Sequence, residues 1–121
     1  MKEAYSPSHE WIRVEEEVAT IGITQHAQEE LGEIVYVELP RVGKSVRAGE
    51  EIVVLESTKA AADIYSPVSG EIVEVNESLK SEPHRINQDA QNMGWLFRIK
   101  ISNPSELDTL LTHQQYLLLV N

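Results

Sequence analysis

The side chain best placed for chemistry is Lys59, in the stretch LESTKAAADIYSPVSGEI that runs from Leu55 to Ile72. Its neighbours are serine, threonine and alanine, so the ammonium group is predicted to stand clear of bulky side chains. Glu56 and Asp63 flank it, and Gly70 follows where the chain must turn tightly. An accessible lysine on a rigid β-hairpin suits enzymatic acylation, which removes the charge and adds a long arm. The protein would then present a cofactor that performs the reaction.

The sequence offers few other motifs for catalysis. Its six glycines form neither a G-x-G-x-x-G nor a Walker pattern, and there is no G-x-S-x-G or H-E-x-x-H sequence. The histidines are far apart along the chain, so surface or structural roles are predicted for them and no metal site is expected. They are His9, His26, His84 and His113. The chain lacks the parts of a self-sufficient enzyme and is predicted to be non-catalytic.

Composition narrows the class of protein. The 121 residues suffice for one domain, predicted to span 1–121, and a hydrophobic content of 41% favours a folded chain. A formal net charge of −10 disfavours nucleic-acid binding, because phosphate contacts need a basic surface. The absence of cysteine excludes disulfide scaffolds and thiolate sites.

No apolar run approaches membrane-spanning length, so no membrane contact is expected. Without a signal or transit segment, a bacterial cytoplasmic location is predicted, or a mitochondrial one after removal of a transit peptide.

Short β-rich segments separated by glycine and proline turns must position the lysine. They predict a mostly β fold, a flattened barrel or sandwich of two antiparallel sheets. The segment GEEIVVLES from Gly49 is echoed by GEIVEVNES from Gly70. This echo suits two sheets, one from each half of the chain, with Lys59 on a hairpin that joins the halves.

Two helices are predicted beside the sheets. A short helix is expected near 25–31, with Thr24 as its N-cap and Gly32 at its end. A C-terminal helix is expected near 104–112, because a capping-box pattern precedes an apolar face. That capping pattern consists of Asn103, Pro104 and Glu106.

The lysine segment resembles the lipoylation site of the H protein of the glycine cleavage system, which has E-S-V-K-A, then an acidic residue, then P-[VI]-S-G. This chain has ESTKA from Glu56, with Thr58 in place of the usual valine, and PVSG from Pro67. Four further segments are similar to family segments, in family order. They are SPSHEW (Ser6–Trp11), ATIGITQHAQEELGEIVYVELP (Ala19–Pro40), GW (Gly94–Trp95) and SELDTLLT (Ser105–Thr112). The resemblance covers almost the whole chain and implies a lipoyl/biotinyl-type hybrid fold.

The resemblance implies a carrier rather than a catalyst. Lys59 would bear lipoate through an amide bond, take an aminomethyl group from glycine decarboxylase and deliver it to the aminomethyltransferase. Dihydrolipoyl dehydrogenase would reoxidise the arm, and a lipoate ligase or lipoyl transferase would attach it. The attaching enzyme would recognise Glu56 and Gly70. Glu10 and Asp63 would hold the loaded amine in a cleft, since carboxylates stabilise a cation.

Segment 83–94 departs from the family pattern and leaves alternatives open. Arg85 replaces an apolar residue and Ala90 replaces a proline. The first alternative is an H-like lipoyl carrier that serves lipoate relay to 2-oxoacid dehydrogenases, or another modification system, without glycine cleavage. A biotinyl carrier is disfavoured, because Thr58 and Ala60 stand where biotin sites have methionines. The remaining alternative is a structural module with an unmodified lysine.

Overall fold

The structure is a computed structural model that describes residues 2–120. Nine strands make two antiparallel sheets, one of six strands in the order β1-β2-β3-β9-β8-β5 and one of three in the order β4-β6-β7. The strands are β1 (Lys2–Tyr5), β2 (Glu10–Glu15), β3 (Val18–Ile23), β4 (Ile34–Glu38), β5 (Ser45–Val46), β6 (Glu51–Ser57), β7 (Ala61–Tyr65), β8 (Gly70–Val75) and β9 (Phe97–Ile101). The predicted pair of antiparallel sheets is confirmed, and across residues 2–120 the sheets do not close into a barrel.

The core lies between the two sheets because their strands alternate in polarity. In β6, Val53 and Leu55 are buried, whereas Glu56 is exposed. Cross-strand register keeps each face consistent, since Leu55 lies opposite Val37 of β4 and opposite Ala62 of β7. The three-stranded sheet therefore has one apolar face toward the core and one face open to solvent.

The first predicted helix is confirmed as α1 (Gln25–Leu31). The Thr24 side chain accepts a hydrogen bond from the backbone N–H of Ala27, as an N-cap does. Gly32 ends the helix with φ of +83°, a left-handed conformation that favours glycine. Three further α-helices are α2 (Ser78–Ser81), α3 (Arg85–Asp89) and α4 (His113–Val120).

The second predicted helix is wrong in type and extent. The structure has a short 3-10 helix, Pro104–Thr109, and a separate α4 after it. Leu111 exchanges two backbone hydrogen bonds with Tyr5 of β1, which takes the chain out of helical geometry. Glu106 does not complete a capping box, because its carboxylate accepts hydrogen bonds from the backbone and hydroxyl of Ser69.

The expected place of the lysine hairpin is also corrected. The two echoing segments do lie in different sheets, as β6 and β8. The hairpin that carries Lys59, however, joins β6 to β7 within the three-stranded sheet, and it does not join the two halves. No helix among residues 2–120 is both long and apolar enough to cross a membrane.

Candidate functional site

Lys59 lies at the tip of the β6–β7 hairpin, and one serine organises the turn. The Ser57 hydroxyl oxygen accepts hydrogen bonds from the backbone N–H groups of Lys59, at 3.1 Å, and Ala60, at 3.0 Å. The backbone N–H of Ser57 donates to the Ala60 carbonyl at 2.8 Å. These local bonds fix the backbone of the tip while the lysine side chain remains exposed.

The tip also rests on the end of α1. The backbone N–H of Thr58 donates to the Glu33 carbonyl at 3.0 Å. The stem of Lys59 crosses Gly32 so closely that a Cβ at that glycine would lie 2.7 Å from the lysine Cε. Among residues 2–120, no carboxylate forms an ion pair with Lys59. The ammonium group is therefore available to another molecule.

Glu56 and Asp63 lie on the solvent face of the three-stranded sheet. Glu56 is opposite Ala61, and Asp63 is opposite Val54, so the strand register places both carboxylates on the same face. Both residues are exposed. A docking enzyme can reach them together with the lysine, because all three belong to one hairpin.

Glu10 is in a different setting, because its side chain is only 1% exposed. Its carboxylate accepts hydrogen bonds from the hydroxyls of Ser6 and Ser8. Burial raises the pKa of Glu10, and hydrogen bonds from the two serines and from the Tyr65 backbone oppose that rise. Within residues 2–120 no basic side chain pairs with it. The tertiary structure thus holds the buried Glu10 carboxylate near the backbone of Tyr65, the last residue of β7.

Gly70 lies at the start of β8, in the six-stranded sheet, and not on the lysine hairpin. A Cβ at Gly70 would be 2.0 Å from the backbone carbonyl oxygen of Lys100 in β9. Only glycine allows these two strands to approach so closely. The structure thus gives Gly70 a packing role, and its recognition by an attaching enzyme stays a prediction.

The comparisons with known proteins agree with this arrangement. The family model described as "Glycine cleavage H-protein" matches residues 3–121. A glycine cleavage system H protein of Thermotoga maritima is 55% identical over 112 residues, which are 93% of this chain and 90% of the relative. One from Shewanella loihica is 58% identical over 113 residues, 93% of this chain and 88% of the relative.

The chain belongs to the glycine cleavage H-protein family. A solved structure supports the same assignment at the level of the fold. The crystal structure of a glycine cleavage system H protein from Mycobacterium marinum superposes with a TM-score of 0.86 at 38% identity, and the match covers 94% of this chain and 92% of that one.

The segment that departs from the family pattern packs against the protein's own elements. The indole N–H of Trp11 donates to the Ala90 carbonyl, and an Arg13 guanidinium N–H donates to the Gln91 carbonyl. These acceptors are backbone groups, which any residue supplies. The Gln91 side-chain oxygen also accepts from the backbone N–H of Gln25, at the start of α1. Ala90 and Gln91 therefore still support β2 and α1.

Within the same segment, Asn87 joins three parts of the site. Its side-chain oxygen accepts from the backbone N–H of Ile34 at 2.8 Å. Its amide nitrogen donates to the Gln28 side chain at 2.9 Å and to the Gly32 carbonyl at 2.7 Å. Asn87 thus fixes the end of α1 and the start of β4, the region on which Lys59 lies. This role could not be found from spacing, because α3 was not predicted.

Two of the scattered histidines meet beside α1. The ring centroids of His9 and His26 are 4.9 Å apart, although the two residues belong to different elements. Burial, followed by the nearby His26, lowers the pKa of His9, while Glu30 opposes this shift. His84 and His113 are exposed. The distance between His9 and His26 along the sequence did not predict that their rings meet in the fold.

Proposed function

We propose that this protein is a lipoyl carrier of the glycine cleavage system, with lipoate attached through an amide bond to Lys59. The observation that carries the proposal is the exposed lysine, without an ion-pair partner in residues 2–120, at the tip of a hairpin fixed by Ser57. The site fits an acyl group, because the lysine stem lies across Gly32 while the residue remains exposed. Membership of the H-protein family supports the same cofactor.

Lipoate held on Lys59 would supply a redox disulfide to accept the aminomethyl group as glycine decarboxylase releases carbon dioxide. After aminomethyltransferase takes the methylene group and ammonia leaves, dihydrolipoyl dehydrogenase would reoxidise the remaining dithiol. The chain's own part is presentation. The hairpin holds Lys59 at a fixed point, and a tethered arm gives each docked enzyme a high effective concentration of its substrate. Dihydrolipoyl dehydrogenase and a lipoate ligase or lipoyl transferase complete the set of partners, and the protein itself is non-catalytic.

Recognition by the attaching enzyme is assigned to the exposed hairpin face. Glu56 and Asp63 offer two carboxylates on one side of the three-stranded sheet, and Lys59 extends from the end of the same hairpin. Charged groups on an exposed rim guide encounter and register more than they add affinity. A basic surface on the attaching enzyme would complement them.

Glu10 is proposed to receive the cationic amine of the loaded arm. A buried carboxylate is costly unless a cation or several hydrogen bonds compensate it. Two serine hydroxyls supply part of that compensation, and no basic side chain within residues 2–120 supplies the rest. An amine bound there would complete it. Asp63, which is exposed on the lysine hairpin, is proposed as a second carboxylate for the same amine.

The intact mass of the chain tests the attachment site. Coexpressed with a lipoate ligase and supplied with lipoate, the chain is expected to gain the mass of one lipoyl group. The variant Lys59→Arg should gain none, because a guanidinium is not acylated. The matched control Lys80→Arg replaces another exposed lysine and should be modified like the parent. Modification of Lys59→Arg, or no modification of the parent, would contradict the proposal.

Reconstitution tests the pathway. Combined with glycine decarboxylase, aminomethyltransferase, tetrahydrofolate, and dihydrolipoyl dehydrogenase with its electron acceptor, the lipoylated chain is expected to support release of carbon dioxide from glycine. A lipoylated chain that fails in this assay but donates lipoate to a 2-oxoacid dehydrogenase would instead establish the relay alternative.

A further inference from the structure

Three potential metal ligands meet on the surface formed by α1 and the turn before β2. One ligand atom from each of His9, His26 and Glu30 lies within 4.8 Å of the other two. His26 and Glu30 are one helical turn apart on α1, which places them on the same face. His9 approaches them from the other element. His9 is the residue before Glu10, but none of the three ligands is Lys59 or Glu10.

The backbone and one hydrogen bond hold His9 in this position. Its φ is +74°, a left-handed conformation that is uncommon for a residue with a side chain. Its Nδ1 lies 2.8 Å from the Tyr116 hydroxyl, which lies 2.6 Å from the Thr24 hydroxyl. If the Tyr116 hydroxyl donates to Thr24, its oxygen accepts the Nδ1–H of His9. Nε2 of His9 then keeps a lone pair, which is the state that a metal needs.

This pattern is the second shell typical of histidine ligands. A ligating histidine usually donates its other ring N–H to an oxygen atom, which fixes the tautomer and the orientation of the ring. Tyr116 is buried and supplies that oxygen to His9. An ordinary solvent-exposed pair on one helix face, without any metal, would account for the 3.1 Å contact of His26 with Glu30. It does not explain why a strained, oriented His9 faces the same pair.

We propose that His9, His26 and Glu30 form a binding site for a divalent transition metal of the zinc class. Two imidazoles and one carboxylate are a common zinc donor set, whereas Mg²⁺ and Ca²⁺ prefer oxygen ligands. Zn–N distances of about 2.0–2.1 Å place the donors of a tetrahedral site roughly 3.3 Å apart. The cluster reaches this spacing by small side-chain rotations, because Glu30 is 65% exposed and His26 is 34% exposed. The fourth position is open to water or to an exogenous ligand.

Titration of the full-length chain with Co²⁺ tests the site. The chain is prepared without a polyhistidine tag and without lipoate, so the result does not depend on the proposed carrier function. We expect one Co²⁺ per chain, with the intense visible absorption of a four-coordinate site, and displacement of Co²⁺ by Zn²⁺. The variants His26→Ala and Glu30→Ala should each weaken binding at least tenfold. His84→Ala, which removes an exposed histidine elsewhere, should leave binding unchanged.

A third variant removes the remaining ligand without removing the turn. His9→Asn keeps a residue that tolerates positive φ, and it should also weaken binding at least tenfold. Its thermal unfolding transition serves as the check on folding. Absence of Co²⁺ binding to the parent chain would overturn the proposal, and so would equal loss of binding in His84→Ala and His26→Ala.

Discussion

The lysine hairpin and the region that faces it are built in opposite ways. At the hairpin tip, Ser57 orients the backbone of Lys59 through bonds between residues that are adjacent in sequence. The receiving region, defined as the Ser6–Glu10 turn together with α1 and proposed to receive the loaded arm, depends instead on contacts between distant parts of the chain. Thr24 and Tyr116, for example, meet through their hydroxyls. An attachment point needs only local order and exposure, whereas a buried charged site needs the whole fold around it.

This comparison predicts that the two regions differ in sensitivity to mutation. The largest expected effect is that of Asn87→Ala in α3. The change removes the three hydrogen bonds that join Asn87 to Ile34, Gln28 and Gly32. At about 1 kcal/mol for each bond, the free energy of unfolding should fall by about 2–3 kcal/mol. Urea denaturation monitored by tryptophan fluorescence measures this loss.

Gln88→Ala is the matched control, because Gln88 is the exposed neighbour on the same helix. Its unfolding free energy should stay within about 0.5 kcal/mol of the parent. Lys59→Ala should be equally neutral, since the side chain makes no ion pair in residues 2–120. If Asn87→Ala and Lys59→Ala had equal effects, the proposed difference between the two regions would be wrong.

The second prediction concerns the contact between the regions. Gly32→Ala places a side chain at φ +83° and ψ −158°, a region occupied almost only by glycine, which costs about 1–3 kcal/mol, and puts a methyl group against the Lys59 stem. Gly49→Ala also places a side chain at positive φ, +88°, with nothing within 4 Å of the new methyl. Both variants should lose stability. Only Gly32→Ala should change the rate at which lipoate ligase modifies Lys59, measured by mass spectrometry over time.

Equal lipoylation rates for the two glycine variants would show that the lysine stem moves away from position 32 at no functional cost. The neighbour is the flexible part of a long side chain, so the stability loss should come from the backbone strain and not from the contact. The experiment therefore separates strain from the placement of the arm.

The same comparison explains what the sequence could predict. Lys59, Glu56 and Asp63 belong to one hairpin, and their exposure follows from small neighbours and strand alternation. The capped α1 is likewise encoded locally, by Thr24 and Gly32. The two sheets follow from the β-rich segments, because alternation decides which face is buried.

The missing parts depend on partners that are remote in the sequence. The hydrogen bonds between Leu111 and Tyr5 end the helical pattern near the C-terminus, and no local signal announces them. β1, β5, α2 and α3 are short and are stabilised by packing more than by propensity. Likewise, the meeting of His9 with His26 requires the turn before β2 to lie against α1. The sequence alone therefore predicts the proposed attachment point better than the region proposed to receive the arm.

The smallest expected change in stability, and the most direct test of the receiving region, is Glu10→Gln. A carboxyl group with a raised pKa binds its proton more tightly in the folded state than in the unfolded state. Stability therefore falls as pH rises from the ordinary glutamate value through the raised pKa of Glu10, and this loss persists at higher pH. Glutamine resembles the protonated acid, so Glu10→Gln should not lose this stability as pH rises. The melting temperature of Glu10→Gln should match the parent near pH 4 and exceed it by a few degrees, roughly 1 kcal/mol, near pH 8.

The same Glu10→Gln substitution, which is expected to raise stability, should weaken retention of the aminomethyl group on the loaded arm. With the carboxylate removed, the cationic amine of the loaded arm loses its proposed partner, so the aminomethyl group should be released faster from Glu10→Gln, by about tenfold for each 1.4 kcal/mol of lost interaction. Glu15→Gln, at the exposed end of the same strand, is the control and should change neither quantity. Release is measured by loss of isotopically labelled methylene from the loaded chain. A stabilised Glu10→Gln variant with the parental release rate would mean that the buried carboxylate does not hold the amine.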